Sequence, residues 1–162
     1  ANCSKLRFIT IPNSIKTIED SVFYNCHQLS RLTLTANSLE DYLSSSVNQL
    51  LCKKNITLNR ELQIAGKALT KLEIPNSISN IPDYAFTYYY SLSSISIPCT
   101  LKHIGKSAFE GCSKLQKVTI GSSVTKIESN GFKSCKNLKT VTVKSTKLNY
   151  WKSIKMILLL YI

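Results

Sequence analysis

Long apolar runs are missing from this 162-residue chain. The longest is Met156-Ile157-Leu158-Leu159-Leu160-Tyr161-Ile162, seven residues where a spanning helix needs roughly 20, so no complete transmembrane helix is expected. The run is expected to form a greasy end of the fold, with the start of a truncated membrane segment as the alternative. No charged n-region leading into an apolar stretch precedes the first structural segment, and residue 1 is Ala. Any targeting signal is therefore expected to have been removed or never to have belonged to this chain. Acidic residues are scarce in the second half: residues 101–162 carry 2 Asp+Glu against 12 Lys+Arg, whereas residues 1–100 carry 7 against 9. The net charge of +12 thus gathers at the C-terminal end. Catalytic signatures are absent too. There is no Gly-rich phosphate loop, no His-Glu-x-x-His helix and no Gly-x-Ser-x-Gly elbow. No two cysteines stand at the Cys-x2-4-Cys spacing of a structural zinc site. The only histidines, His27 and His103, have no acid or nucleophile at a recognisable motif spacing and are expected in solvated loops. These absences argue against an enzyme, and no cofactor or metal is expected.

What is present is a period. Leu6, Leu29, Leu69, Leu92, Leu115 and Leu138 each open a segment Leu-x-x-apolar-x-apolar, and all the gaps are 23 residues except that from Leu29 to Leu69. Alternation after the leading Leu is the pattern of a short strand with one buried face. The Pro that follows at Pro12, Pro75 and Pro98, replaced by Gly121 in the fourth case, cannot donate to a ladder and ends the strand. Each full repeat also carries a second apolar pair, namely Ile15 and Ile18, Ile78 and Ile81, Leu101 and Ile104, or Val124 and Ile127. These pairs are expected to close the opposite wall. A small residue and a Phe come next, Val22-Phe23, Ala85-Phe86, Ala108-Phe109 and Gly131-Phe132, and the four rings are expected to stack in one column.

The fold class that follows is an α/β repeat solenoid, a right-handed leucine-rich repeat stack with one short parallel strand per coil and an enlarged, partly helical coil at about residues 36–68. With 43% hydrophobic residues the chain can bury a continuous core as a single domain, 1–162. Regular repeats are expected at 6–28, 69–91, 92–114 and 115–137, an irregular repeat at 29–68, and a partial repeat or cap at 138–162. Within the irregular repeat, Leu39, Tyr42, Leu43, Val47, Leu50 and Leu51 have helical spacing, with Ser38 as N-cap and Asp41 three residues on. Asn59 to Leu69 then reads as a strand with a turn at Gly66, and a second helical start is expected at Thr146 to Trp151.

The frame Ile-Pro-Asn-Ser-Ile-x-x-Ile-x-x-x-small-Phe-x-x-Cys at 11–26, which recurs with Tyr89 for the Cys at 74–89, resembles the BspA-like leucine-rich repeats of bacterial and protozoan surface proteins. The likeness covers roughly residues 3 to 143. It implies a secreted or cell-surface protein that adheres to host matrix, host cells or other microbes, with a protein or glycan ligand. Because repeat scaffolds host many functions, that implication is one of analogy.

Cys3, Cys26, Cys112 and Cys135 share one repeat position and are expected as small buried thiols. Bridges between neighbouring coils, Cys3 to Cys26 or Cys112 to Cys135, are the rival. Cys52 and Cys99 are out of phase, which makes them the candidates for reactive thiols. Asn2 and Asn55 head glycosylation sequons.

Two surfaces are candidates for binding. On the sheet face, the out-facing strand positions supply Thr10, Arg31, Thr33, Lys71, Glu73, Ser94, Ser96, Lys117, Thr119 and Thr142, a hydroxyl-rich column set suited to an extended partner. On the basic flank, Lys114, Lys133, Lys136 and Lys139 should gather when coils stack. That flank reads as having almost no interleaved aromatics, so a nucleic acid is not the expected partner. Membrane attachment would come only through segments outside this chain. The leading expectation is a macromolecule-binding module for cell-surface adhesion or host and matrix protein recognition; the alternative is an intracellular protein–protein interaction scaffold.

Overall fold

The computed structural model of the protein describes residues 2–19, 21–53 and 58–146. The chain divides into two compact units, Ala1–Leu69 and Thr70–Ile162. The expected helix at Thr146 to Trp151 and the apolar run 156–162 lie largely or wholly outside the described residues.

The first unit is built on a four-stranded sheet: β1 (Phe8–Pro12), β2 (Arg31–Ala36), β3 (Asn59–Ile64) and β4 (Lys67–Ala68), in that order. β1 and β2 are parallel, with Phe8 opposite Arg31 and Thr10 opposite Thr33. β2 and β3 are also parallel, with Arg31 opposite Asn59 and Thr33 opposite Glu61. Leu32, Leu34 and Leu62 point inward and are fully buried. The strand expected from Asn59 is present as β3, which pairs parallel to β2 and turns back through Ala65 (φ 48°) and Gly66 (φ 76°) into the antiparallel β4. Two successive left-handed residues are what a tight hairpin turn requires, so the turn expected at Gly66 is present.

Between β2 and β3 the expected helix is two helices, α1 (Leu39–Ser44) and α2 (Val47–Lys53). Ser38 caps α1, its hydroxyl accepting from the Asp41 amide at 3.0 Å, as its position suggested. The break falls at Ser44-Ser45-Ser46, where side-chain hydroxyls compete with the helical ladder. The Ser45 hydroxyl donates to the Asn13 carbonyl at 2.7 Å and accepts from the Val47 amide at 3.2 Å, tying the break to the preceding coil.

The second unit has two sheets. One runs β5 (Lys71–Glu73), β7 (Ser94–Ser96), β9 (Lys117–Ile120) and β11 (Thr140–Val143). The other runs β6 (Asn80–Ile81), β8 (His103–Ile104) and β10 (Lys126–Ile127). Every pairing is parallel and in repeat register: Lys71, Ser94, Lys117 and Thr140 share one row, and Asn80, His103 and Lys126 another. The opposite wall thus carries its own short strands, a second strand in each coil where the sequence suggested only apolar packing.

Between the sheets, Phe86 and Phe109 stack with ring centroids 5.3 Å apart and planes 1° from parallel; Phe109 and Phe132 stack at 5.1 Å and 12°. Each of these rings is buried, contributing about 150–250 Å² of apolar surface that a lone coil would leave wet. Phe23 is the fourth ring expected in the stack. It lies in the first unit, half-buried, and the segment that follows it, 29–68, contains no Phe to stack upon it.

The wall carrying the Phe residues is also hydrogen-bonded from coil to coil. Phe86 N–H donates to the Ala108 carbonyl at 2.7 Å and Phe109 N–H to the Gly131 carbonyl at 2.8 Å. Its corners need left-handed backbone at two fixed positions: Tyr84, Ser107 and Asn130 at one, Tyr88, Gly111 and Ser134 at the other, all with φ between 51° and 72°. Ser21 and Asn25 repeat the pair in the first unit. Close approach explains the Gly that replaces Pro at 121: a Cβ there would lie 2.1 Å from the Pro98 carbonyl oxygen.

Candidate functional site

In the second unit the strand registers align the out-facing positions into two rows. The first is Lys71, Ser94, Lys117 and Thr140; the second is Glu73, Ser96, Thr119 and Thr142. Lys71, Glu73, Ser96, Lys117 and Thr142 are exposed, and Ser94 and Thr119 are half-buried. Inward neighbours Leu72, Ile95 and Val118 are buried, so the alternation of the strand fixes which side chains face out. These predicted residues do come together.

The first unit departs from expectation. Thr10 is exposed, but Thr33 is only 9% exposed. β2 is an interior strand, so Thr33 sits between Thr10 and Glu61 and is covered from both sides. Arg31 is half-buried and engaged on both flanks. Its guanidinium lies 4.5 Å from the Phe8 ring centroid and its Nη1 is 4.0 Å from Glu61 Oε2. Phe8 itself is 54% exposed, and Tyr24 and Val22 join it as exposed apolar residues of the first coil.

The sequence reading missed Asn59 and Glu61, which share the sheet face with Arg31 and Thr33. The offset from β2 to β3 is 28 residues, not 23, so they fall out of phase with the period. Arg60, also missed, takes an inward position in β3 and is fully buried. Its Nη1 donates to Asn48 Oδ1 of α2 at 2.8 Å and lies 3.5 Å from Cys52 Sγ.

Lys114, Lys133, Lys136 and Lys139 are all exposed on the loops entering the strands. Lys133 Nζ lies 3.8 Å from Glu110. Residues 70–146 hold 10 lysines and 4 acids, so the surface of this unit is electropositive. The expectation of almost no interleaved aromatics is corrected: Lys114 Nζ lies 5.2 Å from the Tyr90 ring centroid and Lys106 Nζ 6.0 Å from that of Tyr84. Each pair joins successive coils, which is why no local motif announced it.

His103 is not in a solvated loop. It sits half-buried in β8, with Nε2 3.2 Å from Glu128 Oε1. Lys126 Nζ meets the same oxygen at 2.5 Å, and this hydrogen bond, then that from His103, holds the Glu128 carboxyl below its usual range. His27 is exposed.

Cys26, Cys112 and Cys135 are buried free thiols. The Cys112 thiol donates to the Phe86 carbonyl at 3.2 Å and the Cys135 thiol to the Phe109 carbonyl at 3.1 Å. At Cys112 and Cys135 the shared position thus serves a hydrogen bond to the coil before, whereas Cys26 donates to the Tyr24 carbonyl in its own coil and Cys3, expected to be buried, is exposed. Burial, reinforced by the neighbouring Cys135, pushes the Cys112 thiol well above its ordinary pKa. Cys99 is exposed and Cys52 half-buried. Among the described residues no three His, Cys, Asp or Glu side chains are grouped to hold a metal ion, and no helix is long and apolar enough to cross a membrane.

The chain is similar to two solved structures. A leucine rich cell surface protein from Faecalibacterium prausnitzii shares 27% identity, over 87% of this chain and 40% of that one, with a TM-score of 0.47. A leucine-rich repeat protein from Eubacterium ventriosum shares 19% identity, over 91% of this chain and 55% of that one, with a TM-score of 0.33. The chain therefore spans less than two thirds of either. No curated protein matches it. The sequence profile of the BspA type leucine rich repeat region matches residues 1–68 and 63–154, in 6 copies. With its period, parallel ladders and buried Phe positions accounted for by that repeat, the chain belongs to the BspA-type leucine-rich repeat family.

Proposed function

We propose that this chain is a cell-surface recognition module whose sheet face binds a partner protein, with the basic flank as an auxiliary contact. Leucine-rich repeat domains generally bind proteins and are typically scaffolds rather than catalysts. The observation that carries the reading is the pair of in-register rows, Lys71 to Thr140 and Glu73 to Thr142, mounted on a buried ladder. Such rows present hydroxyl and ammonium groups at the spacing of adjacent strands, ~4.8 Å. They suit an extended segment that exchanges water for polar contacts. The cell-surface role rests on the family and on the name of the Faecalibacterium protein.

The test is binding of the purified chain to matrix proteins and whole cells at low salt. A Lys71→Glu, Lys117→Glu double variant should lose at least about tenfold in affinity, roughly 1.4 kcal/mol. Its thermal stability should change by no more than about 0.5 kcal/mol, because both side chains are on the surface. Full binding by that variant would remove the sheet face from the reading.

The free state of the buried thiols favours a second reading, an intracellular interaction scaffold. Titration of all six cysteines after denaturation without reductant distinguishes the two: six reactive thiols in protein isolated from its source favour a reducing compartment, fewer an extracellular one.

A further inference from the structure

We propose that the partner is held by an acidic stretch of extended polypeptide lying over the segments 113–117 and 136–140 of the second unit, an inference that rests on the sheet face being the contact surface. Lys114, Lys117, Lys136 and Lys139 are the groups that receive it, and all four are exposed. Asn137 Nδ2 donates to the Ser113 carbonyl at 2.6 Å, and the Lys139 amide to the Gln116 carbonyl at 2.8 Å. These bonds fasten the two segments side by side, so lysines about one repeat apart in sequence share one edge of the sheet.

The acids of the unit are engaged elsewhere. Glu110 pairs with Lys133, Glu128 with Lys126 and His103 on the opposite wall, and Asp83 accepts from the Lys106 amide at 2.7 Å. Glu73 stands on β5, separated by β7 from the strand that carries Lys117. Among the described residues none of the four lysines has an acidic partner. Lys114 lies 5.2 Å from the Tyr90 ring centroid, a contact that leaves its charge uncancelled. Like charges gathered without counter-charges repel one another, so a stabilising role does not account for the cluster.

Charge also rises along the sheet, and the gradient selects the partner. β5 carries Lys71 with Glu73, β7 only Ser94 and Ser96, β9 Lys117 with Thr119, and Lys136 and Lys139 lead into β11. A uniformly anionic polymer laid along this face would meet the exposed Glu73 carboxylate. A polypeptide segment can place carboxylates over the lysines at one end and neutral or basic residues at the other. Its amides can bond the hydroxyls between, those of Ser94, Ser96 and Thr119. A second copy of this chain, itself at +12, is repelled.

The experiment is fluorescence anisotropy of labelled poly-glutamate titrated with the intact chain across a salt series, with heparin as the second probe. Poly-glutamate should bind, and more weakly as salt rises. A Lys114→Gln, Lys136→Gln, Lys139→Gln variant should bind it at least about tenfold more weakly while melting at the same or a higher temperature. The Lys114→Arg, Lys136→Arg, Lys139→Arg variant should retain binding, and Lys139→Gln alone should show a smaller loss of the same kind should the triple variant misfold. A Lys102→Gln, Lys126→Gln variant on the opposite wall should change affinity by no more than about twofold, its charges being screened from the site. Undiminished poly-glutamate binding by the glutamine variants would overturn the inference, as would an equal loss in the opposite-wall variant. Heparin binding through the three lysines with no poly-glutamate binding would overturn it in favour of a sulfated polysaccharide. Cells or matrix proteins bound through Lys71 and Lys117, with neither probe bound, would end this inference and leave the recognition module standing; binding of none of them would end both.

Discussion

A single thiol shows how repeat position becomes chemistry. Cys112 recurs 23 residues before Cys135, and each donates its S–H to the carbonyl of a stacked Phe in the preceding coil. The burial that makes this bond favourable also disfavours the thiolate. The folded state therefore holds the Cys112 proton more tightly than the unfolded state does. Its contribution to stability is complete below the ordinary thiol value of 9.0 and is lost as pH rises above that value toward the raised folded one. Cys112→Ala is expected to destabilise the protein by about 1 kcal/mol at neutral pH and to flatten the fall of stability at alkaline pH, read by urea unfolding across a pH series. An unchanged alkaline limb would assign that loss to other groups.

At the scale of the element, the regular coils were legible, and in the irregular one the helical stretch, the strand from Asn59 and the turn at Gly66 were legible but the register was not. Inward positions such as Leu72, Ile95 and Val118 follow directly from the alternation of a half-buried strand. The segment 29–68 hid its register because it combines a 28-residue step from β2 to β3 with a hairpin into β4, so Asn59, Arg60 and Glu61 drop out of phase. Nothing in a local window marks Arg60 as buried, since its acceptor Asn48 belongs to a helix 12 residues upstream. Buried guanidinium groups need their hydrogen bonds. Asn48→Ala is expected to destabilise the first unit by roughly 1–3 kcal/mol, and hydrogen exchange should show the loss concentrated in β2, β3 and α2. Loss of protection confined to α2 would mean that Arg60 is held without Asn48.

For the whole molecule, the sequence revealed the family through its period, while the surface chemistry arises from pairings between coils. Thr33 disappears beneath its neighbours on β1 and β3, and Lys106 and Lys114 find tyrosines a full coil away. His103 and Glu128 meet across 25 residues for the same reason. All such encounters depend on successive coils of a unit lying in register, which brings residues of equal repeat position side by side. A double-mutant cycle on Phe86→Leu and Phe109→Leu, read by equilibrium unfolding, tests that register most directly. Stacked rings 5.3 Å apart should show a coupling of about 0.5–1.5 kcal/mol, whereas effects that add to within roughly 0.3 kcal/mol would contradict the column and the in-register stack built around it.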